Sequence, residues 1–144
     1  MLLDPLDKIV QNLPYGAGFK FVDKLLEISD DRVVGIYRFR ESEPFFQHHF
    51  INNPVVPGVI LTECMAQIGL ACLGSYLNKD EAIKSFAMTE NHVVFLKQVQ
   101  PETTVIVSAV KKYHRFGKLK VLVQMLDENE NKVAEGWMSG MSGS

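Results

Sequence analysis

Apolar positions over the first thirteen residues, Leu2, Leu3, Leu6, Ile9, Val10 and Leu13, recur at three-to-four spacing and predict a short helix. Asp4-Pro5 supplies a capping residue followed by a proline at the first helical position, and Pro14, Gly16 and Gly18 end it. From Phe19 to Ile28 the pattern turns strand-like. Asp30-Asp31 marks a turn, and Val33 to Arg40 reads as the second strand of a hairpin. Glu41 to Val56 is an irregular loop.

Pro57-Gly58 then opens a helix that runs to about Leu77, with Asn78 as its stop. Its apolar residues lie almost all round, so neighbours must bury it on every side. Gly69 and Gly74 are small enough for close packing against it. Lys79–Lys84 is a polar linker. Four strand-like runs follow: Ser85–Met88 continuing at His92–Leu96, Thr103–Tyr113, Lys118–Leu126 and Lys132–Met141. The tail Ser139–Ser144 is small and polar and is expected to fray. The order predicts an α+β domain over 1–144: a hairpin, one long buried helix and an antiparallel meander, with the sheet curled round the helix.

The 144 residues can bury a full core, and 47% apolar with 22% charged residues is the balance of an ordinary globular protein. A net charge of −2 gives no electrostatic reason to expect nucleic acid or an anionic membrane as a partner. Met1 to Asp7 lacks the basic, then apolar, pattern of a signal peptide. Val55–Leu77 has membrane length, but Glu63 near its middle would be costly in hydrocarbon, so a buried helix is expected. Cys64 and Cys72 sit eight positions apart on that helix, about 12 Å by helical rise, too far for a disulfide. Buried thiols suit a reducing cytoplasm. No metal site or cofactor motif is expected.

The chemistry concentrates between Pro44 and Gly69. A Pro-punctuated loop carries His48 and His49, and the helix behind it carries one acid, Glu63. A loop histidine and a helix carboxylate can form an acid–base pair. On composition alone a lone helix carboxylate is more often structural, and a loop histidine more often packing. His48 has no assigned role, and His92 and His114 read as structural.

Phe45-Phe46-Gln47-His48-His49-Phe50, then Pro54-Val55-Val56-Pro57-Gly58-Val59, then Glu63-Cys64-Met65-Ala66-Gln67 resembles the 3-hydroxyacyl-ACP dehydratases of the FabZ type. The family pattern is roughly Phe-Phe-x-Gly-His-Phe-Pro-x-x-Pro-x-x-Pro-Gly-Val-x-x-x-Glu-Ala-Met-Ala-Gln, with the same histidine-to-acid spacing. The resemblance implies a hot-dog fold, an antiparallel sheet wrapped around one long central helix. It also implies a homodimer with two sites at its interface, and hexamers as trimers of dimers. By the same likeness His49 is the catalytic histidine and Glu63 the catalytic acid, from opposite subunits. Gly58 is the residue whose backbone N–H holds the thioester carbonyl, and Gln67 orients the glutamate. Phe45, Phe46, Phe50 and Phe95 either line an acyl tunnel or pack the core.

The sequence departs from the pattern in four places. His48 replaces the glycine before the histidine, and Ile51 replaces the proline after His-Phe. The basic Lys-Phe-Arg-Arg strand end, part of the carrier-protein contact, reads Phe95-Leu96-Lys97-Gln98, and Pro-Gly-Asp reads Pro101-Glu102-Thr103. Relatives that also isomerise carry Asp at the acid position, so Glu63 favours dehydration alone.

The expected reaction is loss of water from a (3R)-3-hydroxyacyl thioester on acyl carrier protein, giving the trans-2-enoyl product for fatty acid, polyene or polyketide synthesis. It needs a base that is partly neutral near pH 7, which histidine provides. It also needs an acid that stays protonated, which burial of Glu63 would favour. Two other readings stand beside it: a hot-dog acyl thioesterase, and an inactive acyl-binding or assembly subunit.

Overall fold

The computed structural model describes residues 3–79 and 83–143. Leu2, Asp80–Ala82 of the linker and Ser144 of the tail lie outside the described residues.

Helix α1 (Pro5–Gln11) starts as the sequence predicts: Asp4 caps it, accepting from the Leu6 N–H at 2.7 Å, and Pro5 takes the first turn. The expected strand over Phe19–Ile28 is shorter. Ala17–Phe19 forms a 3₁₀ turn, and only β1 (Lys24–Ile28) joins the sheet. The reason is local. The Phe21 N–H and the Phe19 carbonyl are bonded by the side chain of Gln67, so neither can enter a ladder.

Strand β2 (Arg32–Phe39) pairs with β1 as the predicted hairpin. A 3₁₀ turn at Pro44–Gln47 lies within the loop. Helix α2 spans Gly58–Leu77, and its middle, Gln67–Cys72, is π-helical. The strands that follow are β3 (Ser85–Phe95), β4 (Thr103–Arg115), β5 (Lys118–Leu126) and β6 (Lys132–Gly143). The tail is therefore not frayed through Gly143: Ser139 and Gly140 are buried, and Gly143 pairs with Ser85.

All six strands form one antiparallel sheet, ordered β1-β2-β4-β5-β6-β3. Only β4-β5-β6 is a meander. Strand β3 does not pair with β4 as a four-strand meander requires; it crosses to the far edge beside β6. This placement closes the second side of the sheet over α2. Register shifts at Leu25/Glu27, Met88/Glu90, Lys111/Tyr113 and Met125/Leu126 bend the strands and supply the curl.

The helix sits deep in that curl. Met65, Ile68, Leu70, Cys72 and Leu73 are buried with Leu25, Val33, Val107, Val121 and Met138 from the strands. A Cβ on Gly69 would stand 3.2 Å from that of Ala109, and one on Gly74 would overlap the Phe86 ring. Both glycines permit the close approach expected of them. Phe86 lies beside Gly74 and Phe95 beside Gly58, so β3 runs antiparallel to the helix along its whole length.

Candidate active site

His49 is held by its own loop. Its backbone N–H bonds to the Phe45 carbonyl at 2.9 Å, and its ring stacks on Phe50 with centroids 4.0 Å apart. Nδ1 lies 3.0 Å from the Val55 carbonyl. A carbonyl can only accept, so Nδ1 carries the proton and, in the neutral ring, Nε2 keeps its lone pair. The loop thus presents a base rather than a donor. Val55 is in turn fixed by its N–H to the His49 carbonyl at 2.9 Å.

A cavity of about 490 Å³ opens between this loop and the start of α2, lined by His49, Phe50, Gly58, Leu61, Phe95 and Lys97 among others. Pro57 caps the helix and its carbonyl accepts from the Ile60 and Leu61 N–H groups, while the N–H groups of Gly58 and Val59 have no helical partner and form the positive end of the helix dipole. Phe95 packs on Gly58: a Cβ there would sit 3.3 Å from its ring. Thr62 Oγ1 donates to the Gly58 carbonyl at 3.1 Å and holds the first turn.

Glu63 stands on another side of the helix. Five residues from Gly58, it is rotated by roughly 140° and does not line the His49 cavity. Gln67 Nε2 donates to Glu63 Oε2 at 2.9 Å and also to the Phe19 carbonyl at 2.9 Å, while Gln67 Oε1 accepts from the Phe21 N–H at 2.7 Å. Gln67 is fully buried and its amide orientation is forced by these three partners. Glu63 itself is half-buried in the single chain, not sealed as its apolar neighbours suggest. The half-buried Tyr15 phenol is pushed up to about 12 by burial and then by the charge of Glu63. It therefore stays protonated beside the acid.

The remaining aromatics divide. Phe50 and Phe95 line the His49 cavity. Phe45 lines a separate cavity of about 740 Å³ between residues 17–23 and the end of β2. Phe46 belongs to the core. Cys64 donates to the Phe21 carbonyl at 3.2 Å, and burial holds its thiol well above the ordinary range, so it is no nucleophile. His48 is exposed, as are His92 on β3 and His114 on β4.

Three supports escape a reading of the sequence. The Val55 carbonyl that sets the His49 tautomer and the Phe19–Phe21 backbone that anchors Gln67 are main-chain groups, which carry no residue signal. The third is Tyr37, whose hydroxyl donates to Glu43 Oε1 at 2.5 Å and ties the loop's start to β2.

Residues 13–135 match the FabA-like domain family. Among similar sequences, a 3-hydroxyacyl-[acyl-carrier-protein] dehydratase FabZ of Streptococcus suis is 37% identical over 128 residues, covering 88% of this chain and 89% of the relative. One from Caldicellulosiruptor bescii is 35% identical over 127 residues, covering 85% and 88%. The bifunctional enzyme LpxC/FabZ of Bacteroides thetaiotaomicron is 35% identical over 101 residues, and there the chain spans only 22% of the relative's length. Among solved structures, the dehydratase heterocomplex ApeI:P from Xenorhabdus doucetiae superposes with a TM-score of 0.80 at 12% identity, covering 94% of this chain and 91% of that one. A hypothetical thioesterase from Streptococcus pneumoniae gives 0.70 at 9% identity, with 96% of each chain covered. At such identities these two likenesses speak for the hot-dog fold alone. The site's spacing, the family match across residues 13–135 and near-full-length relatives above 30% identity agree: the chain belongs to the FabA-like family, with the FabZ-type 3-hydroxyacyl-ACP dehydratases.

Proposed function

We propose that this protein is a hydro-lyase that converts (3R)-3-hydroxyacyl-ACP thioesters to trans-2-enoyl-ACP in the cytoplasm, in fatty acid or polyene and polyketide synthesis. The observation that carries the reading is the Nδ1 contact of His49 with the Val55 carbonyl, which leaves Nε2 free as a base in the cavity that holds Gly58. His49 takes the α-proton. Charge growing on the thioester oxygen is met by the N–H of Gly58 at the helix start, a preorganised donor worth about 3 kcal/mol in comparable sites. The hydroxyl leaves as water with a proton from Glu63, which Gln67 aims.

His49 and Glu63 of one chain face different sides of α2, which supports a site shared between two subunits. The surface supports the same reading. Strand β3 is a free sheet edge, and around the helix start Ile51 and Val59 are 82% and 77% exposed. An unpaired edge beside exposed apolar side chains favours a two-fold pairing of β3 with its copy. In that dimer His49 and Gly58 of one subunit work with Glu63 of the partner subunit.

The test is a dehydration assay across 3-hydroxyacyl-ACPs of graded chain length, followed as enoyl product. Turnover on at least one length is expected. Release of free thiol without enoyl product would instead support the thioesterase reading, and dimers that bind the carrier without turnover the inactive-subunit reading.

A further inference from the structure

We infer that the outer face of the β4–β5 hairpin is the surface on which the carrier protein docks, through an acidic face of its own; this rests on the dehydratase reading above. Between Thr103 and Leu126 the chain carries Lys111, Lys112, Arg115, Lys118 and Lys120 and no acid, in a protein whose net charge is −2. The registers Arg115↔Lys118 and Tyr113↔Lys120 put these four side chains on one face, since directly opposed residues point the same way. Leu122↔Trp137 continues that face on β6. Leu119 and Val121 turn inward and are buried, as the alternation requires.

The cations are laid out rather than loose. The Arg115 guanidinium sits 4.6 Å from the Tyr113 ring centre, and Lys120 Nζ lies 4.4 Å from that of Trp137. Lys118 is paired with Glu90 at 3.0 Å and Lys111 with Asp31 at 3.6 Å. Lys112, Arg115 and Lys120 have no carboxylate in ion-pair contact among the described residues. Phe116 stands at the tip, 95% exposed, offering an apolar contact inside a charged ring. This is the pattern of a steering surface for an acidic protein. By contrast, the strand end Phe95-Leu96-Lys97-Gln98 offers one cation, and Asp127 already holds Lys97 at 2.6 Å.

The hairpin lies at the C-terminal end of α2, since Lys118 pairs with Met141, Gly143 with Ser85, and Phe86 sits beside Gly74. Within one chain it is roughly 30 Å along the helix from Gly58. A two-fold pairing of β3 must be antiparallel, which brings the hairpin to the same end as Gly58 of the partner subunit. Three strand spacings, about 15 Å, then separate β5 from the partner's β3. A carrier on one subunit's hairpin thus feeds the site of the other.

The test compares R115E/K120E with the unaltered protein on two substrates, a 3-hydroxyacyl-ACP and the matching 3-hydroxyacyl-N-acetylcysteamine thioester, which has no carrier. The expected result is a KM for the carrier-bound substrate raised about tenfold or more, with kcat and the carrier-free rate unchanged, and rescue by R115K/K120R. An unchanged KM overturns the proposal, and so does an equal loss on both substrates. Loss of binding to phosphatidylglycerol vesicles with an unchanged KM would assign the face to lipid instead. If the unaltered protein turns over neither substrate, the dehydratase reading fails. Calorimetric titration of the carrier into each protein then decides the docking surface: binding lost in R115E/K120E upholds it, and no binding or unchanged binding overturns it.

Discussion

Gln67 holds Glu63 at 2.9 Å from one helical turn below, and it is itself held by the backbone of Phe19 and Phe21. One amide therefore sets the direction of the acid and the path of the chain between α1 and β1. Gln67→Leu would leave the buried Phe21 N–H without a partner and the Phe19 carbonyl without its donor. We expect a stability loss of about 3 kcal/mol in urea unfolding, the usual scale for orphaned buried polar groups. Dehydration should fall further than the unfolded fraction accounts for.

Glu63→Gln keeps the size of the side chain and its place beside Gln67 but cannot deliver a proton. The proposed dimer should persist by light scattering while kcat drops roughly a hundredfold or more, the usual scale for a positioned acid. Near-normal turnover would remove Glu63 from the mechanism.

Tyr37→Phe removes the hydroxyl that donates to Glu43 Oε1, while the other oxygen, Oε2, is buried without a partner. Burial already holds this carboxyl above the usual range. With both oxygens unpartnered, the variant should lose about 1–3 kcal/mol. The measurement is urea unfolding.

Glu102 occupies the left-handed region at φ 65°, where the family pattern has glycine. It is retained by Arg38 Nη2 at 2.5 Å and by the Glu41 N–H at 2.7 Å. Glu102→Ala should lower the thermal midpoint, since it keeps the unfavourable φ and loses both partners. Glu102→Gly should fall less, and in high salt, where the Arg38 pair is screened, should match or exceed the parent.

Asp127 accepts from Lys97 Nζ and from the N–H groups of Asn129 and Asn131, which together hold its carboxyl below the usual range. A lowered folded pKa gives stability that is complete above the unfolded value and is lost as pH falls through the folded one. Asp127→Asn should therefore be less stable at pH 7, and its deficit should shrink below about pH 4, the ordinary carboxylate range. Thermal midpoints across pH 3–7 measure this.

Strand periods and turn residues made most elements readable: β5 falls on Lys118–Leu126 as predicted, and α2 begins and ends at Gly58 and Leu77. The position of β3 was not readable, because alternation marks a strand but not its neighbour. The segment Phe19–Val22 reads as a strand by its apolar residues, of which Phe21 and Val22 are buried, yet the Phe21 N–H bonds to a side chain 46 positions away. The site shows the same division. His49, Gly58, Glu63 and Gln67 stand out in the sequence by their match to the family pattern. That His49 and Glu63 face different sides of one helix, and that Val55 fixes the tautomer, follow only from the folded backbone.

The π-helical stretch Gln67–Cys72 has one further consequence. A wider turn delays the rotation of everything after it, so α2 has two angular phases. The first half is set by the site, aiming Gly58 and Glu63. The second is set by the sheet, turning Gly74 to the Phe86 ring. Closing the wide turns to α-helical pitch without removing a residue would rotate Leu73–Leu77 by about 100° against the first half, one residue's worth of turn. The stretch thus serves as a joint that lets each half keep its own heading.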